Sequence, residues 1–433
     1  MKKWLLVLFV VATVSQVSAQ QKLTLDNAIS IALKNSYDVE LVRNQLAISN
    51  INNNPGVAGA LPTINLNASD NEQIISINQK FPDANRNTQR NNVGSNILQL
   101  GVTGSMLLYN GNRIVTTQKR LAQLELLNKN VLNAQLQNTM AIVSVRYYEI
   151  VRQQELLKTI QKSIDVFQKR LDLLEARKEA GLANNADIYQ AKLDLNQQKQ
   201  ALQTQHLIIK QSKADLLQSM IQAPDSVIVI DDKIMIDKNL SLENIKGALP
   251  SNPDYLAAAT QITINQLIEK ETAALRMPSL RATTGFNLNS NKSAAGFILL
   301  NQSYGPFFGV NLSVPLYNGS AFKRQGQVAA INTRSAKLQQ ENLALTLETN
   351  AVKTFNAYTN ALAQLQTETD NYALSSQLLD LVMQKFELAE ATIIDVRQAQ
   401  QSFENAGYRL VNLQYTAKIA EIELNRLVSK LAL

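Results

Sequence analysis

Few residues in this chain have the types and spacing to do chemistry. There are 0 Cys and a single His, His206, set in a Gln-rich stretch with helical character. One His with no Cys or second His beside it makes neither a metal-ligand set nor a nucleophile–base pair. The adjacent carboxylates Asp231 and Asp232 read as loop surface. Two other aspartates stand out by context: Asp187-Ile188 with Gln190-Ala191, and Asp395-Val396 with Gln398-Ala399. Each follows a break and opens a helical pattern, where a carboxylate meets free amides and the positive end of the helix dipole. That chemistry is electrostatic rather than covalent, so no catalytic site, cofactor or metal centre is expected.

The two aspartate contexts lie 208 residues apart (395 − 187 = 208), and a second, unlike motif shares the offset. Leu108-Tyr109-Asn110-Gly111 returns as Leu316-Tyr317-Asn318-Gly319. Two motifs with one spacing mean that the whole segment between them has kept its register. The unit is too long for a solenoid repeat and reads as a duplicated domain. The expected division is a signal peptide at 1–19, a first repeat at 20–221, a linker at 222–239 and a second repeat at 240–433.

The signal peptide is read from Lys2 and Lys3, the apolar stretch Trp4 to Val14, and the small-residue site Val17-Ser18-Ala19. It is too short for a spanning helix, and no later apolar run approaches the roughly 18 residues one needs. An exported chain without Cys holds itself together by packing alone. The formal net charge is +7, two fewer once Lys2 and Lys3 are removed. Lys and Arg are scattered, never more than two in a row, which argues against nucleic acid as a partner.

Helical spacing over 23–50 starts behind Thr24 as an N-cap, and Ser241-Leu242-Glu243 opens the second copy in the same way. Strands follow. Leu98, Leu100, Val102, Met106 and Leu108 alternate with Gln99, Gly101, Thr103 and Ser105; Phe308, Val310, Leu312, Val314 and Leu316 alternate with Gly309, Asn311 and Ser313. This is period-two patterning. Shorter partners lie at Thr63 to Ala68 and Leu280 to Leu288, joined by Asn-rich loops at about Asp70 to Asn96 and Asn289 to Gly305. A soluble sandwich would bury the apolar face; an outer-membrane barrel would turn it to lipid and its polar face to water. A length of about 10–12 residues suits a tilted membrane strand. On that reading Leu312 faces lipid near the midplane and Asn311 the lumen. A short strand at Ser226 to Ile230 is expected in the linker.

From Asn112 to Ala180 there is no Pro or Gly, and Leu136, Val143, Ile150, Leu157, Ile164 and Leu171 fall at strict sevens. The copy carries Ala344, Ala351, Tyr358, Leu365, Tyr372 and Leu379. Sustained heptads mean helix-to-helix packing along the full length. The returning helices carry Leu195, Leu202, Ile209 and Leu216, matched by Phe403, Leu410, Ala417 and Leu424. Between the helices of each half lies a tip, residues 181–187 and 389–395.

One chain offers about four strands, too few to close a barrel, and an open edge in lipid leaves backbone groups unpaired at several kcal/mol each. Three chains supply twelve strands, an even number within the known range. The expected fold is mainly α with membrane β: duplicated long helical hairpins forming a trimeric α-barrel, continuous with a shared 12-stranded outer-membrane β-barrel.

Two copies of strand–loop–strand–YNG–long helix–tip–Asp–helix resemble the TolC-like outer-membrane efflux protein family over nearly all of the mature chain. The resemblance implies a homotrimeric passive duct in the outer membrane of a Gram-negative bacterium, reaching into the periplasm. It implies an inner-membrane transporter and a periplasmic adaptor as partners, with outer-membrane lipid around the barrel, in efflux or type I secretion. Adaptor docking falls on the tips, Gly181, Leu182, Ala183, Ala389, Glu390 and Ala391. The periplasmic gate falls on Asp395, Gln398 and Asp187. Where family members with a well-described gate carry a Tyr, an Arg and two Asp, this chain has Phe386, Ala391, Asp395 and Gln398. In a three-fold duct Asp395 becomes a ring of three carboxylates; a helix cap with no view of the lumen is the alternative. A periplasmic coiled-coil scaffold or adaptor is the competing function.

Overall fold

The computed structural model describes residues 22–181, 183–294 and 298–431, so the expected signal peptide at 1–19 lies outside the described residues. Helices α1 (Leu25–Asn35) and α2 (Tyr37–Asn52) lead into strands β1 (Thr63–Gln79) and β2 (Thr88–Tyr109), then the long helices α3 (Arg113–Glu179) and α4 (Asn185–Ser219). The second half repeats this order: α5 (Leu242–Ala248), α6 (Pro253–Ala274), β3 (Ser279–Ser293), β4 (Leu300–Ser313), α7 (Ala321–Glu387) and α8 (Ile393–Leu427). The long helices match residue for residue, 67 in α3 and α7 and 35 in α4 and α8, with every boundary shifted by the same 208 (321 − 113 = 208). The left-handed backbone positions that flank the long helices repeat as well. Gly111 pairs with Gly319, Asn112 with Ser320, Gly181 with Ala389 and Ile221 with Ser429. The backbone has thus kept its special conformations even where the residue type has changed.

The expected single helix over 23–50 is two helices. Thr24 caps α1 by accepting from the Asn27 amide, but Ser36 interrupts the run and its hydroxyl accepts from the Val39 amide. Ser competes for backbone amides in this way and so favours caps over helix interiors. Ser241 stands at the N-cap of α5 but makes no side-chain cap bond. The expected strand at Ser226 to Ile230 is a single parallel bridge, Lys22 to Val229.

Contacts divide the chain into two compact units, each drawing on both halves of the repeat. One comprises the described residues up to Arg43, Val131–Tyr255 and those from Asn342 onward; the other is Asn44–Asn130 with Leu256–Glu341.

The first unit is built on the heptads. Val143, Ile150 and Leu216 are buried in one core, and Ala351, Tyr358 and Leu424, each 208 residues on, are buried in another. The linker feeds both: Ile228 and Ile230 enter the first core, while Ile236 and Leu240 pack on the second. Two tyrosines pin it. The Tyr147 hydroxyl, held far above its ordinary pKa chiefly by burial, bonds the Leu23 carbonyl (3.0 Å) and Asp232, and the Tyr358 hydroxyl donates to the Asp237 carbonyl. Asp232 is nonetheless exposed, on a loop, with its carboxylate turned to the Tyr147 hydroxyl. Asp231 is exposed and pairs with Lys22, and His206 is exposed.

The second unit carries one antiparallel sheet in the order β1-β2-β3-β4. The strands run well past the expected ends, and the expected Asn-rich loops are largely strand: β1 continues to Gln79, β2 starts at Thr88 and β3 reaches Ser293. Asn, Ser and Gln look like loop composition but suit a strand face that meets water. In β4 the difference runs the other way, since the strand ends at Ser313 and Val314 and Leu316 lie outside it. Pro315 has no amide to continue a ladder. Leu312 is thus one residue from the end of β4, away from the middle of the sheet. Helical residues brace this unit: Glu125 accepts from Asn53 (2.7 Å) and Asn50 (3.1 Å), and Arg120 pairs with Glu271 at 2.8 Å.

Candidate functional site

Two regions carry the features a duct needs, a two-faced sheet in one unit and the hairpin tips in the other. Residues opposed across antiparallel strands share a face, so the register assigns every side. One face carries the rows Ile64–Gly104–Thr284–Phe308, Leu66–Val102–Phe286–Pro306 and Ala68–Leu100–Leu288–Tyr304. The other carries Thr63–Ser105–Thr283–Gly309, Asn67–Gly101–Asn287–Gly305 and Ser69–Gln99–Asn289–Ser303. The apolar face is uncovered: Leu66 is 73% exposed and Phe308 77%. Continuous apolar surface left open on this scale marks a surface made to be covered. Towards the β1–β2 turn the same face turns polar at Asp70 and Glu72, both accepting from the Asn96 amide group at 2.6 and 2.7 Å. An apolar band bounded by a polar rim is the pattern of a membrane strand.

At the tips, α3 ends in Gly181 and α7 in Ala389, both left-handed, with φ of 77° and 64°. The Ala389 amide bonds the Phe386 carbonyl (3.2 Å) and the Glu390 amide the Lys385 carbonyl (2.8 Å), which is a Schellman ending. Asn184 then caps α4 by accepting from the Asp187 amide at 2.9 Å. Thr392 and Asp395 form a reciprocal capping box on α8: the Thr392 hydroxyl accepts from the Asp395 amide (3.2 Å), and the Asp395 carboxylate accepts from the Thr392 amide (2.8 Å) and hydroxyl (2.7 Å). Those bonds from Thr392 hold the Asp395 carboxyl below its usual range.

The sequence-derived gate residues separate. Asp395 and Gln398 are exposed on neighbouring positions of one face of α8, and Asp187 is half-buried at the start of α4. Phe386, by contrast, is a core residue, 2% exposed, with the Arg177 guanidinium 4.4 Å over its ring and donating to its carbonyl. Ala391 packs against that same core, as does Ala183. Of the docking tips, Gly181, Ala389 and Glu390 are exposed, and Leu182 lies outside the described residues.

One constellation escaped the sequence reading. Arg170 is fully buried and reaches across both hairpins, to Asp194 on α4 (2.6 Å) and Gln400 on α8 (3.1 Å). Asp194 also lies 3.7 Å from Arg397. Burial lowers the pKa of Arg170, and Asp194 opposes that shift. Among the described residues, Arg170 Nε and Gln400 Nε2 find no partner. One turn along, burial raises the pKa of Glu404, against which Gln198 donates at 3.2 Å. Its place fits the helix packing: Ile160, Phe167 and Leu174 are buried at sevens, and Arg170 occupies the inward slot between the last two.

A family model described as outer membrane efflux protein matches residues 28–220 and 244–429. The chain belongs to that family. It is an outer-membrane channel component of tripartite export, placed in the outer membrane of Gram-negative bacteria and extending into the periplasm. The chain is 24% identical over 357 residues to outer membrane protein TolC of Vibrio cholerae, covering 78% of each chain. It is 18% identical over 288 residues to outer membrane efflux protein BepC of Brucella suis, covering 66% of this chain and 62% of that one. In fold it is similar to VceC of Vibrio cholerae, with a TM-score of 0.78 and 18% identity over 94% of this chain and 96% of that one. The Campylobacter jejuni CmeC outer membrane channel gives a TM-score of 0.76 at 15% identity, over 94% and 85%. Channels of this type form homotrimers and work with inner-membrane transporters and adaptors.

Proposed function

We propose that three copies of this chain close their sheets into one twelve-stranded barrel and act as a passive exit duct. The observation that carries this is the sheet itself: four strands, two open edges at β1 and β4, and an uncovered apolar face. In lipid each unpaired edge group costs several kcal/mol, and closure against further copies removes both edges. The helices support the same reading. Beside its inward heptads, α7 leaves Ile331, Leu338 and Leu345 exposed at sevens, each more than half uncovered. A second apolar stripe on one helix suits packing against a neighbour in a ring of helices.

The adaptor meets the duct at the exposed tip residues Gly181, Ala389 and Glu390, together with Leu182, Ala183 and Ala391. Asp395, Gln398 and Asp187 line the periplasmic mouth. With Phe386 in the core and Ala391 packed against it, a latch there draws on other contacts than a Tyr and an Arg. The capping box supports a double role for Asp395, holding the start of α8 while keeping its charge.

Paired charge insertions test the barrel. Val102→Arg puts a charge in the middle of the apolar rows, at a cost of about 2–4 kcal/mol. Gln99→Arg puts the same charge on the polar face. Membrane-inserted protein should fall sharply for the first and stay near normal for the second. Equal loss from both would mean that the apolar face does not meet lipid.

A further inference from the structure

We propose that Arg281 makes the barrel segment of the duct prefer anions. On the polar face, β3 offers Arg281, Thr283, Gly285, Asn287 and Asn289, and their partners on β2 and β4 are Ser, Thr, Gly, Asn, Gln, Leu107 and Phe307. Among the described residues of that face in the four strands there is no carboxylate. Asp70 and Glu72 fall on the opposite, apolar-band face, where Asn96 engages both. Arg281 is exposed, and its contact there is a neutral one, Nη1 donating to the Ser105 hydroxyl at 3.4 Å, beside the Ser105–Thr63 contact at 3.0 Å. A guanidinium does not lose its proton in a protein, so the charge stays uncompensated. The surrounding sequence agrees: between Glu271 and Glu341 every charged residue is Lys or Arg.

The inference rests on the proposed closure of three chains into one barrel. Closure turns Arg281 into a ring of three positive charges at one level of the lumen, walled by neutral polar side chains and, outside them, lipid. Low-dielectric walls focus such a field, and rings of Arg or Lys are how pores favour anions. The duct should therefore pass anionic solutes more readily than cationic ones through this segment.

The test is the reversal potential of the full-length protein in a planar bilayer under a potassium chloride gradient, at low ionic strength where screening is weak. Arg281→Gln should lower the chloride-to-potassium permeability ratio several-fold, and Arg281→Glu should lower it further. Arg281→Lys, which keeps the charge, should hold the native ratio, as should Lys292→Gln, which removes a charge from the opposite face. A native-like conductance with an unchanged ratio in Arg281→Gln would overturn the inference while leaving the duct standing. Failure of the native protein to conduct at all would overturn the duct reading, and this inference with it.

Discussion

Ala389 occupies a left-handed C-terminal position that its counterpart 208 residues earlier fills with Gly181. An L residue with a Cβ pays about 1–2 kcal/mol there, and Gly gives back part of that gain through a freer unfolded chain. Ala389→Gly should therefore stabilise by about 0.5–1 kcal/mol, seen as a higher thermal midpoint, and Gly181→Ala should move it the other way. Arg170 offers a harder test. Asp194→Ala strands a fully buried guanidinium and should cost about 3–5 kcal/mol, whereas Arg170→Met, which leaves no buried cation unpaired but takes the donor from Gln400, should cost less. Asp194 would remain paired in that variant, since Gln190 donates to it at 2.7 Å and Arg397 stands beside it. Glu404 gives a pH signature. Its raised pKa means the folded state holds the proton more tightly than the unfolded chain, so stability is lost as pH rises from the ordinary carboxylate value through the raised one. Glu404→Gln should raise the midpoint at neutral pH, and the gain should vanish in acid. At this scale the sequence was only partly legible. Asp187 and Asp395 read correctly as helix-start residues, because an acid after a break has few other uses. Phe386 and Ala391 read as departures from the family's gate, with no group to form its contacts; that one lies in the core and the other packs against it is a matter of packing that alignment to a tip cannot reveal. Arg170 was hidden because a charged residue in a heptad looks like a solvated one until its partners are known.

The long helices were legible almost to the residue, since 67 positions without Pro and with apolar sevens leave the backbone no alternative. The sheet was legible in its existence and faces but not in its length. Membrane strands invert the usual cue: the polar face needs Asn, Ser and Thr, the same residues that mark loops in soluble chains. The joint between the two element types carries its own prediction. Gly111 and Gly319 both have positive φ at the turn from strand into helix, but a Cβ on Gly111 would lie 2.5 Å from the Met277 Cβ, while Gly319 faces open space. Gly111→Ala should sharply reduce folded protein in the membrane and Gly319→Ala much less, as quantified by immunoblot of membrane fractions.

For the whole molecule, one chain leaves a large apolar sheet face, two strand edges and a helical heptad stripe without partners. Each is costly alone; further copies of the same chain satisfy the edges and the stripe, and lipid covers the apolar face. A soluble periplasmic scaffold would have no use for the two-faced sheet. The number of chains in the native particle, measured by light scattering with correction for bound detergent after mild extraction from membranes, is therefore the most direct measurement of this account. It should be three, with the particle resisting high-salt washing of the membrane before extraction. A stable single-chain particle, or release of the protein by salt alone, would contradict the shared barrel.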